Sequence, residues 1–122
     1  MNKLEYIRLL NGDIVYIHGS VRVISSCDGY YATYYDEDET LQEVNVNVIE
    51  GIPLTTAIIE KNGWEHKDDV YFKDYPQRKL VTYDDKAYII NESCSLFLCK
   101  VEFVHQLQHL LFGLGLNSEM EV

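Results

Sequence analysis

Two histidines near the end of the sequence have the spacing of a metal-binding pair. Residues 105–109 read HQLQH, and side chains four positions apart lie on the same face of a helix. The zinc-protease motif H-E-x-x-H uses this spacing, and its glutamate acts as the general base. Gln106 occupies the glutamate position here and cannot take up a proton in that way. His105 and His109 are therefore candidate ligands of a metal-dependent hydrolase. The favoured prediction is that no metal, no other cofactor and no catalytic residue is present.

The helix predicted to carry these histidines begins near Phe103 and ends near Leu114, next to Gly113 and Gly115. At about 100° per residue its apolar side chains gather on one stripe, and both histidines fall on the opposite side. The predicted stripe consists of Phe103, Val104, Leu107, Leu110, Leu111 and Leu114. We expect the leucines to close a core and the other face to contact a partner. The candidate partner-binding residues of this helix are His105, Gln106, Gln108 and Phe112.

Enzyme motifs of the familiar kinds do not occur in the sequence. It contains neither G-x-x-x-x-G-K-[ST] nor G-x-G-x-x-G, which cradle phosphates, and no G-x-S-x-G nucleophile elbow. Cys99 could pair with His105 as nucleophile and base, but it lies in an apolar strand where a core thiol is expected. Cys27, Cys94 and Cys99 have the spacing of neither a zinc ribbon nor a redox pair. The sequence therefore predicts free thiols and a protein that is not an enzyme.

Four of the ten tyrosines crowd one predicted strand, at positions 30, 31, 34 and 35. Alternation along a strand places Tyr30 and Tyr34 on one side and Tyr31 and Tyr35 on the other. One pair can enter the core while the other forms an aromatic recognition strip at the surface, although β-propensity alone would also explain the pattern. Tyr31 and Tyr35 are the candidate partner-binding residues. The acidic residues 36–39 lack the glycine and alternating ligands of a calcium loop, so a solvated hairpin tip is expected.

The most pronounced feature of the overall composition is an excess of negative charge. The 122 residues include 20 acidic and 10 basic side chains, which gives a formal net charge of −10 at pH 7. Without a basic stripe to neutralise phosphates, direct non-specific binding of nucleic acid is not expected. The partner is therefore predicted to be a protein. Alternatively, the chain is a nucleic-acid-associated factor or a DNA-mimic decoy that engages a nucleic-acid-binding protein. A homo-oligomer is compatible with the sequence.

Two features bear on location. No apolar run approaches the roughly 20 residues needed to span a bilayer. The first ten residues, MNKLEYIRLL, lack the basic start, apolar centre and cleavage site of a signal peptide. We therefore expect a cytoplasmic protein that does not insert into a membrane.

Turn signals divide the chain into short elements, typical of an α+β fold with mainly antiparallel strands. In residues 1–50, an apolar run ending at Leu10 and turns at 11–13, 18–20 and 27–29 predict five short strands, the last through the alternating valines of 43–49. They predict a small SH3-like, or KOW-like, barrel. In residues 51–122, Thr55 is expected to cap a helix over 56–61 that Gly63 ends. A four-stranded antiparallel meander and the histidine helix follow, and the last six residues are expected to fray.

Three segments carry a resemblance to a known group of proteins: IPLT at 52–55, NGW at 62–64 and FVHQLQHLLFGL at 103–114. The chain resembles small uncharacterised proteins that recur in Bacteroides-type gut bacteria, often in prophage or mobile-element regions. The group has asparagine where this chain has His109, so the resemblance does not imply a metal site formed by two histidines. It also implies no activity or substrate. Together these features predict a non-catalytic protein-binding module of a bacterial or prophage system.

Overall fold

A computed structural model describes residues 9–76, 78–91 and 94–122. The chain divides into two compact units, residues 1–52 and residues 53–122, which we call the N-terminal and C-terminal units. The fold is α+β, with antiparallel pairing between the strands of three sheets and two α-helices. None of the helices in the described ranges is long and apolar enough to cross a membrane.

The N-terminal unit contains two three-stranded sheets. Its strands are β1 (Ile14–Ile17), β2 (Ser20–Val23), β3 (Ser26–Cys27), β4 (Tyr31–Tyr35), β5 (Leu41–Asn45) and β6 (Ile49–Gly51). The sheet orders are β2-β1-β6 and β3-β4-β5. A two-residue turn, His18 and Gly19, joins β1 to β2. Both residues have positive φ, 51° and 80°, as two-residue hairpin turns require. The strand predicted to end at Leu10 begins in residues 1–8, outside the described residues, and Leu9 and Leu10 are not part of a strand.

Side chains from both sheets share one apolar core. The buried members of this core are Leu9, Val15, Ile17, Ile24, Ala32, Tyr34 and Ile49. Only Ile24 and Ser25 separate β2 from β3, so the chain passes from one sheet to the other there. Across residues 9–52 the strand pairings do not close into a ring, so only the coarser prediction, antiparallel sheets around a common core, is confirmed.

The strand predicted through the alternating valines is broken. Strand β5 ends at Asn45, and Val46–Val48 form a 3₁₀-helix before β6. The side chain of Asn45 accepts a hydrogen bond from the backbone N–H of Asn47 at 2.9 Å. Asparagine side chains can compete in this way with the hydrogen bonds between strands. An alternating hydrophobic pattern does not reveal this competition.

The C-terminal unit is a five-stranded antiparallel sheet with two helices. Its elements are α1 (Thr56–Lys61), β7 (Glu65–Lys67), β8 (Val70–Tyr75), β9 (Arg78–Tyr83), β10 (Lys86–Asn91), β11 (Cys94–Lys100) and α2 (Val104–Gly113). The strands pair in chain order from β7 to β11. The predicted four-stranded meander is confirmed as β8–β11, and the short polar strand β7 extends it.

Both helices belong to one apolar cluster with the sheet. Ile59 of α1 and Leu107 and Leu111 of α2 cluster with Leu80 of β9 and Trp64. The predicted cap of α1 is confirmed, because Thr55 Oγ1 accepts the backbone N–H of Ile58 at 3.2 Å.

The C-terminal segment does not fray, contrary to prediction. The side-chain amide of Asn62 donates to the carbonyl of Glu121 at 2.7 Å and accepts the N–H of Glu121 at 2.8 Å. Met120 and Leu116 pack against the cluster of the C-terminal unit. These partners are far apart in sequence, so local composition could not reveal them.

Candidate functional site

Strand β4 places Tyr31 and Tyr35 at the surface. Ala32 and Tyr34 point into the core and are 0% and 8% exposed, whereas Tyr31 and Tyr35 are 47% and 60% exposed. This is the orientation predicted from alternation for three of the four tyrosines. Tyr30 differs, because it precedes the strand and is 75% exposed rather than sharing the core with Tyr34.

Two aspartates fix the ends of β4. Asp28 Oδ1 accepts the backbone N–H groups of Tyr30 and Tyr31, both at 2.8 Å. Asp36 accepts the N–H of Thr40 at 3.0 Å and the side-chain amide of Gln42 at 2.8 Å. These bonds lower the pKa of each carboxyl: for Asp28 the bond from Tyr31 contributes most, and for Asp36 the bond from Thr40. The ionised carboxylates therefore hold the turns that orient the strand.

The outer surface of β4 continues onto β5. In the antiparallel register, Thr33 lies opposite Glu43, and Tyr35 lies opposite Leu41. The hydroxyl of Thr33 also hydrogen-bonds that of Ser26 on β3 at 2.6 Å. We call Tyr31, Thr33, Tyr35, Leu41 and Glu43 the tyrosine face. Leu41 is 53% exposed, so two aromatic rings and one aliphatic side chain are accessible on this single surface.

A groove of about 400 Å³ lies beside Tyr35 in the same unit. Its floor and walls are formed by Asn11, Val21, Arg22, Val23, Ile24, Ser25 and Tyr35. Val21 and Val23 are 46% and 55% exposed. The groove thus adds apolar surface from β2 to the accessible ring of Tyr35. The hydropathy pattern alone did not single out this groove, because its residues come from separate strands.

Arg22 is the only lysine or arginine in residues 9–52. Its guanidinium carbon lies 5.3 Å from the centre of the Tyr34 ring, and its Nη2 lies 2.7 Å from a carboxylate oxygen of Glu37. The same residue range carries eight carboxylates: Asp13, Asp28, Asp36, Glu37, Asp38, Glu39, Glu43 and Glu50. Asp13 is buried, so seven carboxylates of residues 9–52 are accessible, and the one arginine of this range is already paired.

Helix α2 does not present the residues predicted for it. His105 is 0% exposed and Gln108 is 4% exposed, so neither can contact a partner at the surface. The prediction that His105 faces away from the core is therefore wrong, and Gln108 is unsuitable for the same reason. The buried face is displaced from the leucine stripe, because it consists of Val104, His105, Leu107, Gln108 and Leu111.

Two glutamines of α2 have structural roles that the sequence did not reveal. Gln106 Oε1 accepts the backbone N–H groups of Glu102 and Phe103, at 2.6 and 3.0 Å, and so satisfies donors at the start of the helix. The side-chain amide of Gln108 donates to the carbonyl of Ser118 at 3.2 Å. Of the four candidates on this helix, only Phe112 is largely exposed, at 69%.

The two histidines lie close together without forming a recognisable metal centre. The His105 ring stacks on Phe103 with centroids 5.8 Å apart, and it meets His109 nearly edge-on at 5.9 Å. Within the described ranges, no group of three or more His, Cys, Asp or Glu side chains is arranged to hold a metal ion. A zinc site needs at least three protein ligands, and the pair alone does not supply them.

Cys99, the candidate nucleophile, has an unfavourable environment for that role. It lies half-buried in β11, and burial raises the pKa of its thiol. A raised pKa lowers the fraction of thiolate, which is the reactive form.

The chain matches no protein-family model, and no curated protein or solved structure is significantly similar to it.

Proposed function

We propose that this protein is a non-catalytic protein-binding module and that the tyrosine face is its binding surface. The observation that carries the proposal is the exposure of Tyr31 and Tyr35 on one side of a strand whose other side forms the core. Exposed aromatic side chains with a polar end are enriched at protein interfaces, where they supply large buried areas.

The immediate surroundings support this reading of the surface. Leu41 lies directly opposite Tyr35, and the groove beside Tyr35 adds the apolar side chains of Val21 and Val23. A contiguous apolar surface next to a concavity gives a partner side chain somewhere to bury its own apolar area.

We also propose that the N-terminal unit has an SH3-like arrangement. Three features support this: two three-stranded sheets around one core, a bent segment over 20–27 that serves both sheets, and a 3₁₀-helix just before the last strand. We further propose that the protein comes from a bacterial or prophage system, as the resemblance of the segments IPLT, NGW and FVHQLQHLLFGL suggests.

The test compares the tyrosine pair of β4 with a single exposed tyrosine outside the tyrosine face. Immobilised wild-type protein should retain a specific partner from a lysate of its source organism, and the double variant Tyr31→Ala/Tyr35→Ala should lose that partner. Tyr83→Ala is the matched control, because Tyr83 is 50% exposed but belongs to the C-terminal unit. Thermal melting should show that the double variant remains folded. Retention of the same partner by the folded double variant would rule out the tyrosine face as the binding surface.

A second candidate, a decoy for a nucleic-acid-binding protein, is favoured by the eight carboxylates and one arginine of residues 9–52. A dense anionic surface can occupy the phosphate-binding surface of such a protein. If so, duplex DNA should compete with the chain for the retained partner. A partner that binds DNA and this chain simultaneously would count against the decoy.

A further inference from the structure

We infer that the tyrosine face recognises an arginine or lysine side chain in a basic protein segment, with Glu43 as the carboxylate that anchors the cation. This inference rests on the proposed function, since it assumes that the tyrosine face is the binding surface. It adds the chemical class of the partner and the residue that selects it.

The register places Glu43 centrally between the two tyrosines. Glu43 lies opposite Thr33, and Tyr31 and Tyr35 are two positions before and after Thr33 on β4. Each tyrosine is therefore a diagonal neighbour of Glu43 on the same face, at a Cα separation of roughly 7–8 Å, within reach of long side chains. A cation within about 6 Å of either ring centroid can thus also approach the carboxylate.

The Glu43 carboxylate is available for such a contact. Its residue is exposed, and it forms no ion pair with any residue of the described ranges. Two of the four acidic residues in the adjoining loop are already engaged, since Glu37 pairs with Arg22 and Asp36 accepts backbone N–H groups. Among these three carboxylates, Glu43 is the one free to take a cation from outside.

Charge complementarity selects a basic partner. The seven accessible carboxylates and one paired arginine of residues 9–52 attract cationic segments and repel acidic ones, which raises the association rate at low salt. An aromatic ring beside a carboxylate suits an organic cation, because the ring attracts the charge while the carboxylate accepts its hydrogen bonds.

A protein segment fits the surface better than a free small cation. The exposed Leu41 and the groove with Val21 and Val23 lie next to Tyr35, so residues flanking the bound cation have apolar surface to cover. A free amine would leave that surface unused.

The test uses a fluorescein-labelled peptide of repeated Arg-Gly-Ser units and a second peptide with citrulline, a neutral isostere, in place of each arginine. The arginine peptide should bind the wild type, and the citrulline peptide should bind at least about tenfold more weakly, the factor that corresponds to 1.4 kcal/mol. The Glu43→Gln variant should weaken binding of the arginine peptide about tenfold at constant salt. Glu50→Gln on β6 removes one exposed carboxylate in the same unit and should change binding about twofold or less.

Two results would overturn the inference: equal binding of both peptides, or equal weakening by Glu43→Gln and Glu50→Gln. Failure here is distinguishable from failure of the proposed function. If Glu43→Gln retains the cellular partner and Tyr31→Ala/Tyr35→Ala loses it, the tyrosine face binds a partner of other chemistry. If both variants retain the partner, the proposed function fails as well.

Discussion

Strand β4 and helix α2 each carry residues with the chemistry to bind a partner, but the two elements expose them differently. On β4, Tyr31 and Tyr35 are accessible and the core takes Tyr34. On α2, the structure buries His105 and Gln108 and leaves Phe112 exposed. On the helix, polar side chains are buried, so polarity does not predict which residues are exposed. On the strand, the alternation of side chains does predict it. This contrast makes the tyrosine face, rather than the histidine helix, the surface to test.

The difference follows from the two periodicities. A strand has only two sides, so once Tyr34 enters the core, Tyr31 and Tyr35 must point away from it. A helix has no such fixed sides. Its buried face can therefore include polar side chains, provided that they have hydrogen-bond partners. Gln108 finds such a partner in the carbonyl of Ser118, ten residues further along the chain.

The largest expected effect compares two neighbouring tyrosines of β4. Tyr34→Ala removes a nearly buried ring and should lower the free energy of unfolding of the N-terminal unit by about 3–5 kcal/mol, the usual range for large aromatic truncations. Tyr35→Ala should change it by no more than about 0.5 kcal/mol. Urea denaturation followed by NMR resonances of the N-terminal unit measures both. Equal losses would mean that Tyr35 is also a core residue.

A smaller loss of stability is expected from the histidine of α2. His105→Ala should destabilise the C-terminal unit by about 2 kcal/mol, because it leaves a cavity at a fully buried position. Trp64 is the only tryptophan and is buried in this unit, so its fluorescence reports the unfolding. Binding of the arginine peptide should not change. If a folded His105→Ala variant no longer binds the peptide, α2 contributes to the binding surface.

The next effect tests the cap of α2. Gln106→Ala removes the acceptor for two N–H groups and should cost about 1 kcal/mol. Gln106→Glu keeps an acceptor and serves as the matched variant. It should retain most of the stability, measured by the same fluorescence. If both variants are as stable as the wild type, water replaces the glutamine oxygen at this helix start.

Local signals explain which parts of the fold were predictable. The Thr55 cap, the tight turns and the strands β8–β11 depend on residues within a few positions, so the sequence indicates them directly. The 3₁₀-helix after Asn45 depends on one side-chain hydrogen bond that competes with a strand pattern. The packing of the last residues depends on Asn62 and Glu121, which are brought together only by the tertiary fold.

The candidate site divides in the same way. Alternation placed Tyr31 and Tyr35 on the same side of the strand, because the period of a strand is exact. The burial of Tyr34 in the structure shows that this side is the exposed one. Glu43 was missed, since its place between the tyrosines depends on the register of β4 and β5. That register is set by the loop at Asp36, and neither strand by itself specifies it.

The smallest expected effect concerns the turns that hold β4 in place. Hydrogen bonds lower the pKa values of Asp28 and Asp36 below the ordinary value of 3.8 in the folded state. Their contribution to stability is therefore fully present above pH 3.8 and is lost as the pH falls through the lowered values. The N-terminal unit of the wild type should lose stability over that acidic range. Asp36→Asn should be less stable at neutral pH but should show a flatter acid dependence, because it removes one of the two carboxyls.

Asp38→Asn provides the control for this prediction. Asp38 lies in the same loop, and only its backbone N–H contacts Asp36. The variant makes the same change of charge without removing an acceptor that organises the turn. Urea midpoints measured between neutral pH and pH 3 should follow the wild type for Asp38→Asn and diverge for Asp36→Asn. If the curves of Asp36→Asn and the wild type coincide, the Asp36 carboxylate does not set the geometry of the tyrosine face, and the β4–β5 pairing alone must hold Tyr35 and Glu43 together.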